Sequence, residues 1–575
     1  MQPRIVRREV PGIDVDWPAH IHAVLRRVFT ARGIISPDEI DHRLAGLLPP
    51  TFASMDRACD ILEAAIRDDA RMVIVGDFDC DGATGTAVAV RGLRLLGARN
   101  VRYAVPNRMR HGYGLSPAIV EELLPRKPDV LVTVDNGIAA HAGVAAAKAH
   151  GMRVIVTDHH LPGSTLPAAD AIVNPCVSGD QFPSKALAGV GVVFYVLLAL
   201  RTRMRESGQF AVGKEPDLSV LLDLVALGTV ADLVPLDRNN RILVEAGLKR
   251  IRAGRACVGI AALLACGKRD AKRAVASDLG FVAGPRLNAA GRLEDMTLGI
   301  ECLLTDDTAR AFALAERLSA INAERRELQD GMTAQAQAFV AEWISSRGDG
   351  ALPHGVVLFD PGWHQGVVGL VASRLKETLH RPVFACALAD PHSAEIKASG
   401  RSIPGFHLRD ALAEIDARHP GLIPRFGGHA MAAGLSLDRA DLDAFSAAFD
   451  AVARARLAPE MLEAVMLTDG ELDAGDFTLD LAHQLRYAGP WGQAFPEPVF
   501  EGEFAVESWK VVGERHLKLM LRQPGCSELL DAIAFGAYAG EPPASRLRAV
   551  YALDVNEWNG RQSLQMLVLH LQPCD

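Results

Sequence analysis

Between residues 70 and 175, short apolar runs alternate with alanine-rich stretches at helical spacing. Met72–Gly76, Val101–Val105, Val130–Val134, Val154–Thr157 and Ala171–Val173 each read as a buried strand. Brief Val/Ile runs bounded by polar or glycine positions suit a sheet covered on both faces. Ala83–Leu96 and Ala139–His150 read as helices between them. This alternation predicts an α/β domain built on a doubly wound parallel sheet, whose ligands bind beyond the carboxyl ends of the strands.

The pattern then changes twice. Residues 306–345 carry Phe312, Ala315, Leu318, Ile321, Phe339 and Trp343 at helical spacing among many Glu and Arg, which predicts a long connector helix, in one or two pieces. A second, smaller α/β region runs from Gly355 to about Ala455 and opens with Val356–Phe359. In the last hundred residues the period becomes two: Leu517, Leu519 and Leu521 alternate with Lys518, Met520 and Arg522. Val550–Val555 and Leu564–Val568 flank Trp558-Asn559-Gly560, and Asn-Gly between alternating strands predicts a tight hairpin. The tail reads as a small β domain or barrel.

Composition narrows the class. The chain has 575 residues, too many for a single core, with 49% hydrophobic and 23% charged residues. The start, Met1-Gln2-Pro3-Arg4, lacks the apolar stretch of a signal peptide, and Ala186–Leu200, which contains Gly189 and Gly191, is too short to span a bilayer and reads as a buried helix. Nine cysteines without a Cys-x-x-Cys pair predict a reducing, cytoplasmic setting and neither a disulfide framework nor a zinc ribbon. The net charge of −9 argues against a polyanion partner only as a total. Residues 241–292 hold eleven Lys/Arg against three Asp/Glu, which is either a solvated face or part of a polyanion groove.

The candidate chemistry lies where strands end. The first strand runs into Asp77-Phe78-Asp79-Cys80-Asp81-Gly82, and if extended geometry continues, the three carboxylates share a face. The third strand ends in Asp135-Asn136-Gly137 and the fourth in Asp158-His159-His160. The helical stretch Leu221–Leu227 leads to Asp232. Any one aspartate there reads equally as a helix cap, and His-His as a buried structural pair. Together they predict a metal site, because clustered carboxylates need a cation to stay ionised. Carboxylates with imidazole and no thiolate suit Mn²⁺ or Mg²⁺. Asp135 could bridge two ions ~3.5–4 Å apart, the arrangement of two-metal phosphoryl-transfer sites, which predicts a phosphoester hydrolase.

Asp77–Gly82, Asp135-Asn136-Gly137 and Asp158-His159-His160, in that order, resemble the DHH phosphoesterase superfamily. Smaller members carry a histidine where this chain has Val75, and Asp77 takes over as ligand, as in the RecJ family of single-strand-specific 5′→3′ exonucleases. Further stretches carry the same resemblance. They are Pro106-Asn107-Arg108 with Gly112–Leu115, Gly284–Arg292, Trp363–Gly366 leading to Ser373-Arg374, Ser399–Ser402, and Gly427–Gly434. Phe78 replaces the usual Tyr, and Cys80 replaces a small aliphatic residue, which places an oxidisable thiol beside the metals.

The resemblance implies an N-terminal segment (1–50), a DHH catalytic domain (51–300), a connector helix (301–348), a DHH-associated substrate-binding domain (349–458) and an OB-fold nucleic-acid-binding barrel (459–575). It implies that Asp77, Asp79 and Asp135 hold one ion and that Asp81, Asp135, His159 and Asp232 hold the other. Asp158 then orients the histidines, and His160 either polarises the scissile phosphate or makes a structural hydrogen bond. Arg108, Asn136, Arg286, Asn288, Arg374, Ser399, Arg401, Gly427, Gly428 and His429 become candidate DNA contacts, with Arg108, Ser399 and Arg401 around a 5′-phosphate and Arg286 nearer the scissile group. Each arginine alone reads equally as a surface ion pair. Trp509 and Trp558 either stack on bases or fill the barrel.

The activity implied is Mn²⁺- or Mg²⁺-dependent hydrolysis of single-stranded DNA from its 5′ end to mononucleotides. Its setting would be recombinational, mismatch and base-excision repair, by a cytoplasmic monomer served by single-strand-binding protein and a RecQ-type helicase. The alternative is a phosphodiesterase for short oligonucleotides or cyclic dinucleotides. A DNA-binding scaffold without catalysis is a further rival, and such relatives lose metal ligands that this chain keeps.

Overall fold

The structure, a computed structural model, describes residues 3–107, 111, 114–211, 213–346, 352–390 and 392–574, with the backbone alone at Trp343, Ser346 and Trp558. It forms two compact units. One comprises Arg7–Ser319 with Leu467–Asp575, the other Met1–Val6 with Ala320–Met466.

The first unit is built on strands β1 (Met72–Val75), β2 (Val101–Ala104), β3 (Val130–Val134), β4 (Arg153–Thr157) and β5 (Ala171–Val173). All pairs are parallel, in the order β2-β1-β3-β4-β5. The five expected runs thus become the five strands, and β1 and β3 are buried along their whole lengths. The chain leaves β1 toward one edge of the sheet and returns across it to β3. That reversal is a topological switch point, where a crevice opens beyond the strand ends. Val75 pairs with Thr133 and Val134 with Thr157, so β1, β3 and β4 end level with one another.

Four helices carry residues to that edge: α1 (Cys80–Leu95), α2 (Gly189–Glu206), α3 (Leu222–Ala231) and α4 (Gly284–Leu293). α2 is the expected buried apolar helix. α4 is entered through a π-helical turn, Leu279–Ala283. No helix of the described residues is long and apolar enough to cross a membrane.

The same unit includes the chain before the sheet. Phe29 stacks on Trp491 at 5.9 Å, and Arg32 grips Asp469 through both guanidinium nitrogens, at 2.7 and 3.0 Å. Residues expected as a separate segment therefore share a core with the C-terminal region.

The C-terminal part closes into a barrel of strands Phe500–Val512, His516–Arg522, Leu530–Ala534, Arg546–Trp558 and Arg561–Pro573. Leu517, Leu519 and Leu521 face its interior as the alternation requires. Trp558 pairs with Arg561 across Asn559 and Gly560, whose φ values of +51° and +75° are those of a two-residue hairpin turn. Leu530–Ala534 pairs with Arg561–Pro573 in parallel, and every other pair in the barrel is antiparallel.

In the second unit, Val356–Phe359, Val383–Leu388, Glu395–Arg401, Ala432–Asp438 and Arg425–Gly428 lie side by side in that order in a mixed sheet. The chain reaches this unit along one continuous helix, Thr308–Ser346.

Candidate metal centre

Asp77, Asp79 and Asp81 converge, but not by strand alternation. β1 ends at Val75, Asp79 caps α1 by accepting from Gly82 N–H at 2.9 Å, and Asp81 lies in the first helical turn. The expectation of a continuing strand is corrected: a tight loop and a helix N-terminus aim the carboxylates. Gly82 is required there, since a Cβ would lie 2.6 Å from the Asp77 nitrogen.

The remaining groups come from the neighbouring elements. Asp135, just beyond β3, takes φ +62°, a left-handed conformation that a non-glycine residue adopts at some cost. Gly189 at the start of α2 makes room for it, because a Cβ at that position would stand 2.5 Å from the Asp135 Cβ. His159 and His160 follow β4, and Asp232 caps the C-terminus of α3. Asp77, Asp79 and Asp135 form one group whose candidate ligand atoms all lie within 4.8 Å of one another. Asp81, His159 and Asp232 form a second such group, and Asp135, His159 and His160 a third. His159 Nε2 stands 3.1 Å from Asp135, 3.5 Å from Asp232 and 4.0 Å from Asp81.

The electrostatics match a cation-binding centre. Burial, reinforced by Asp79, pushes the Asp81 carboxyl up to about 7, although it accepts from the Gly189 and Val190 amides at 2.6 and 2.9 Å. Burial and then the charge of Asp81 hold Asp135 and Asp232 well above the usual carboxylate range. Burial, with His160 beside it, pulls His159 down to about 4 and keeps its imidazole neutral. Burial alone would raise Asp158, but hydrogen bonds from His160 and the Ile138, His159 and His160 amides keep it ionised. Asp158 in turn raises His160 against the effect of burial. Crowded buried carboxylates with one neutral imidazole and no thiolate are the donor set of a hard divalent cation. The residues fit Mn²⁺ or Mg²⁺.

Among the other expected residues, Asn136 is buried, and its amide donates to the Val75 and Val134 carbonyls at 3.0 and 2.9 Å. Its amide nitrogen thereby ties the ends of β1 and β3 together. Asn288 Oδ1 accepts from the Cys80 N–H at 2.7 Å. Arg286 reaches Ser319 Oγ and the Val282 carbonyl. Burial, with Asp79 and Asp81 beside it, raises the Cys80 thiol well above its ordinary value.

In the second unit, Arg401 donates to Ser399 Oγ at 3.1 Å, and both lie under the start of helix Val368–Leu379, where a Cβ on Gly369 would touch them. Arg374 is exposed on that helix. Gly427 and Gly428 end the strand Arg425–Gly428 opposite Gly434 and Ala433, Gly428 with φ +143°, and His429 begins the hairpin turn, its N–H donating to the Ala432 carbonyl. Arg108 and the Trp558 side chain lie outside the described residues. Trp509 is 39% exposed and stacks on Tyr538 at 6.3 Å, so it does not fill the barrel.

Four of the eleven basic residues at 241–292 have partners within the fold. Arg241 is buried over the Phe495 ring, Arg252 pairs with Glu245, Arg269 with Asp278 and Arg273 with Glu557. The sequence reading missed the Gly189 and Val190 amides and Asn174, whose amide donates to the His160 carbonyl at 2.9 Å. The Gly189–Gly191 pair was their one visible trace.

Comparison with known proteins agrees with this geometry. Residues 71–229 match the DHH family N-terminal domain, 353–455 the DHHA1 domain and 468–570 the RecJ OB domain. The single-stranded-DNA-specific exonuclease RecJ of Dickeya dadantii (strain 3937) is 51% identical over 572 residues, covering 98% of this chain and 99% of that protein. The crystal structure of RecJ in complex with Mn²⁺ from Thermus thermophilus superposes with a TM-score of 0.80 at 31% identity, over 100% of this chain and 79% of that one. The Mg²⁺ complex from the same organism gives 0.75 at 29%, over 100% of this chain and 78% of that one. This chain belongs to the RecJ family.

Proposed function

We propose that the centre at the switch point binds two divalent ions, Mn²⁺ or Mg²⁺, and hydrolyses single-stranded DNA from its 5′ end to 5′-mononucleotides. The observation that carries this reading is the sorting of the carboxylates into two groups, Asp77, Asp79 and Asp135 in one and Asp81 and Asp232, with His159, in the other, His159 Nε2 standing 3.1 Å from Asp135. Asp77, Asp79 and Asp135 would hold one ion, and Asp81, Asp135, His159 and Asp232 the other.

A bound pair of such ions supplies an acidified water and positive charge for the scissile phosphate. The chain's residues set the rest. Asp79 commits Oδ1 to Gly82 and keeps Oδ2 for metal. Neutral His159 offers a nitrogen lone pair without competing charge. Asp158 accepts from Nδ1 of His160 and favours the protonated ring, whose opposite nitrogen is then a donor suited to a phosphate oxygen. Ser399 and Arg401, at a helix N-terminus, suit a terminal 5′-phosphate, and that anchor would set the polarity. Arg286, Arg374 and the Gly427–His429 turn would meet the backbone. The barrel would hold the following bases, with Trp509 and Tyr538 as a stacking platform.

The setting that follows is a cytoplasmic monomer acting in recombinational, mismatch and base-excision repair, with single-strand-binding protein and a RecQ-type helicase presenting its substrate. Incubating the protein with a long 5′-phosphorylated single strand and with two- to five-nucleotide substrates, each with Mn²⁺, tests the reading. Degradation of the long strand supports it, and turnover of the short substrates alone favours the oligonucleotide phosphodiesterase.

A further inference from the structure

Cys80 and Asn288 are 208 residues apart, yet one hydrogen bond joins the loop that carries three candidate ligands to α4. The Cys80 N–H is an orphan donor of the first turn of α1, and it has no partner within the helix. Asn288 Oδ1 supplies that partner at 2.7 Å. One turn further along α4, Gly291 lies against the same loop. A Cβ there would stand 1.8 Å from the Phe78 carbonyl oxygen. α4 thus rests directly on the peptides between Asp77 and Asp81. Asp79 falls in one ligand group and Asp81 in the other, so the orientation of the intervening Cys80 peptide sets how the two carboxylates diverge.

We propose that Asn288 is a positioning residue of the metal centre, its side-chain carbonyl fixing the Cys80 peptide and thereby the placement of Asp79 and Asp81 toward separate ions. The inference rests on the two-ion reading above and replaces the expected DNA contact for this residue. Removing a direct hydrogen-bonding partner of a metal ligand costs ~10–100-fold in affinity, and Asn288 acts on the peptide between two ligands, which sets the low end of that range as the expectation.

Two variants separate the roles. Asn288→Asp keeps an oxygen facing Cys80 and loses the amide donor that a phosphate would need. Asn288→Ala loses both. Metal-stripped wild type and both variants are titrated with Mn²⁺ by calorimetry, and KM for single-stranded DNA is then measured at saturating Mn²⁺. The expected result is about tenfold or greater weakening of Mn²⁺ binding in N288A. N288D binds Mn²⁺ comparably to wild type, and the DNA KM of N288A is unchanged. If N288A does not fold, N288Q, with its carbonyl displaced by one methylene, is titrated in its place with the same expectation. An N288A isotherm equal to wild type overturns the inference, as does a raised DNA KM in both variants with Mn²⁺ binding intact. Wild type that takes up no Mn²⁺ overturns the two-ion reading itself.

Discussion

His160 Nδ1 stands 2.8 Å from Asp158 Oδ1, and the same carboxylate oxygen accepts from the backbone N–H of both histidines. One buried aspartate therefore sets the His159-His160 backbone and the His160 ring together. Asp158→Asn keeps the shape but reverses part of that hydrogen bonding. We expect it to fold and to lose ~10–100-fold in Mn²⁺ affinity, read by calorimetry on the metal-stripped protein.

Asp135 belongs to two of the ligand groups, and its removal disrupts both. Several kcal/mol of transition-state stabilisation correspond to about three decades of rate. Asp135→Ala should therefore lower kcat in Mn²⁺ by roughly 10³ or more. Single-strand binding, measured by fluorescence anisotropy, should stay within a few-fold, because the proposed DNA contacts are elsewhere in the chain. Full residual activity would refute the ligand assignment.

Gly189 gives a steric test of the same residue. A Cβ at Gly189 would lie 2.5 Å from the Asp135 Cβ, and both belong to well-packed backbone. Gly189→Ala should cost about 1–3 kcal/mol in stability by overpacking and weaken Mn²⁺ binding as Asp135 is displaced. Thermal unfolding and a metal titration read the two effects separately.

Metal removal and pH are linked through Asp81. Burial and Asp79 lift its carboxyl to about 7 in the metal-free fold, against about 3.9 in an unfolded chain. Between those values the folded state holds the extra proton, so the Asp81 contribution favours the fold at low pH and is lost as pH rises through about 7. In EDTA, Tm should fall from pH 5.5 to pH 8. With Mn²⁺ the ionised form is stabilised instead, and the gap between the Mn²⁺ and EDTA curves should widen toward pH 8. A gap that narrows with rising pH contradicts the assignment.

Trp509, 39% exposed, is the barrel's proposed stacking residue. Base stacking on an aromatic side chain contributes about 1–3 kcal/mol. Trp509→Ala should accordingly raise Kd for a long single strand by roughly 5- to 150-fold while leaving hydrolysis of a dinucleotide unchanged.

Much of this was legible in the chain. Parallel strands buried on both faces appear as uninterrupted Val/Ile runs, so all five strands of the first sheet stand out, with the aspartates at the carboxyl ends of three of them. The Asn559-Gly560 turn was equally plain because the hairpin needs left-handed residues there. Less was legible where backbone groups or long separations do the work. The Gly189 and Val190 amides that hold Asp81 carry no side-chain signature, and the Asn288–Cys80 bond joins residues that no local pattern connects. The strand alternation inferred for Asp77, Asp79 and Asp81 failed because the helix begins at Cys80, and Asp79 serves as its cap. In the basic tract, a count of charges does not show that Arg252, Arg269 and Arg273 form ion pairs.

The proposed activity is metal-dependent removal of nucleotides from the 5′ end of a single strand. Product analysis on 5′-labelled and 3′-labelled DNA, single-stranded and duplex, with Mn²⁺, with Mg²⁺ and with EDTA, tests this most directly. Immediate release of a labelled mononucleotide from the 5′-labelled single strand, slow shortening of the 3′-labelled one, spared duplex and silence in EDTA are the predicted results. Early release of the 3′ label, or equal cleavage of duplex, would contradict it.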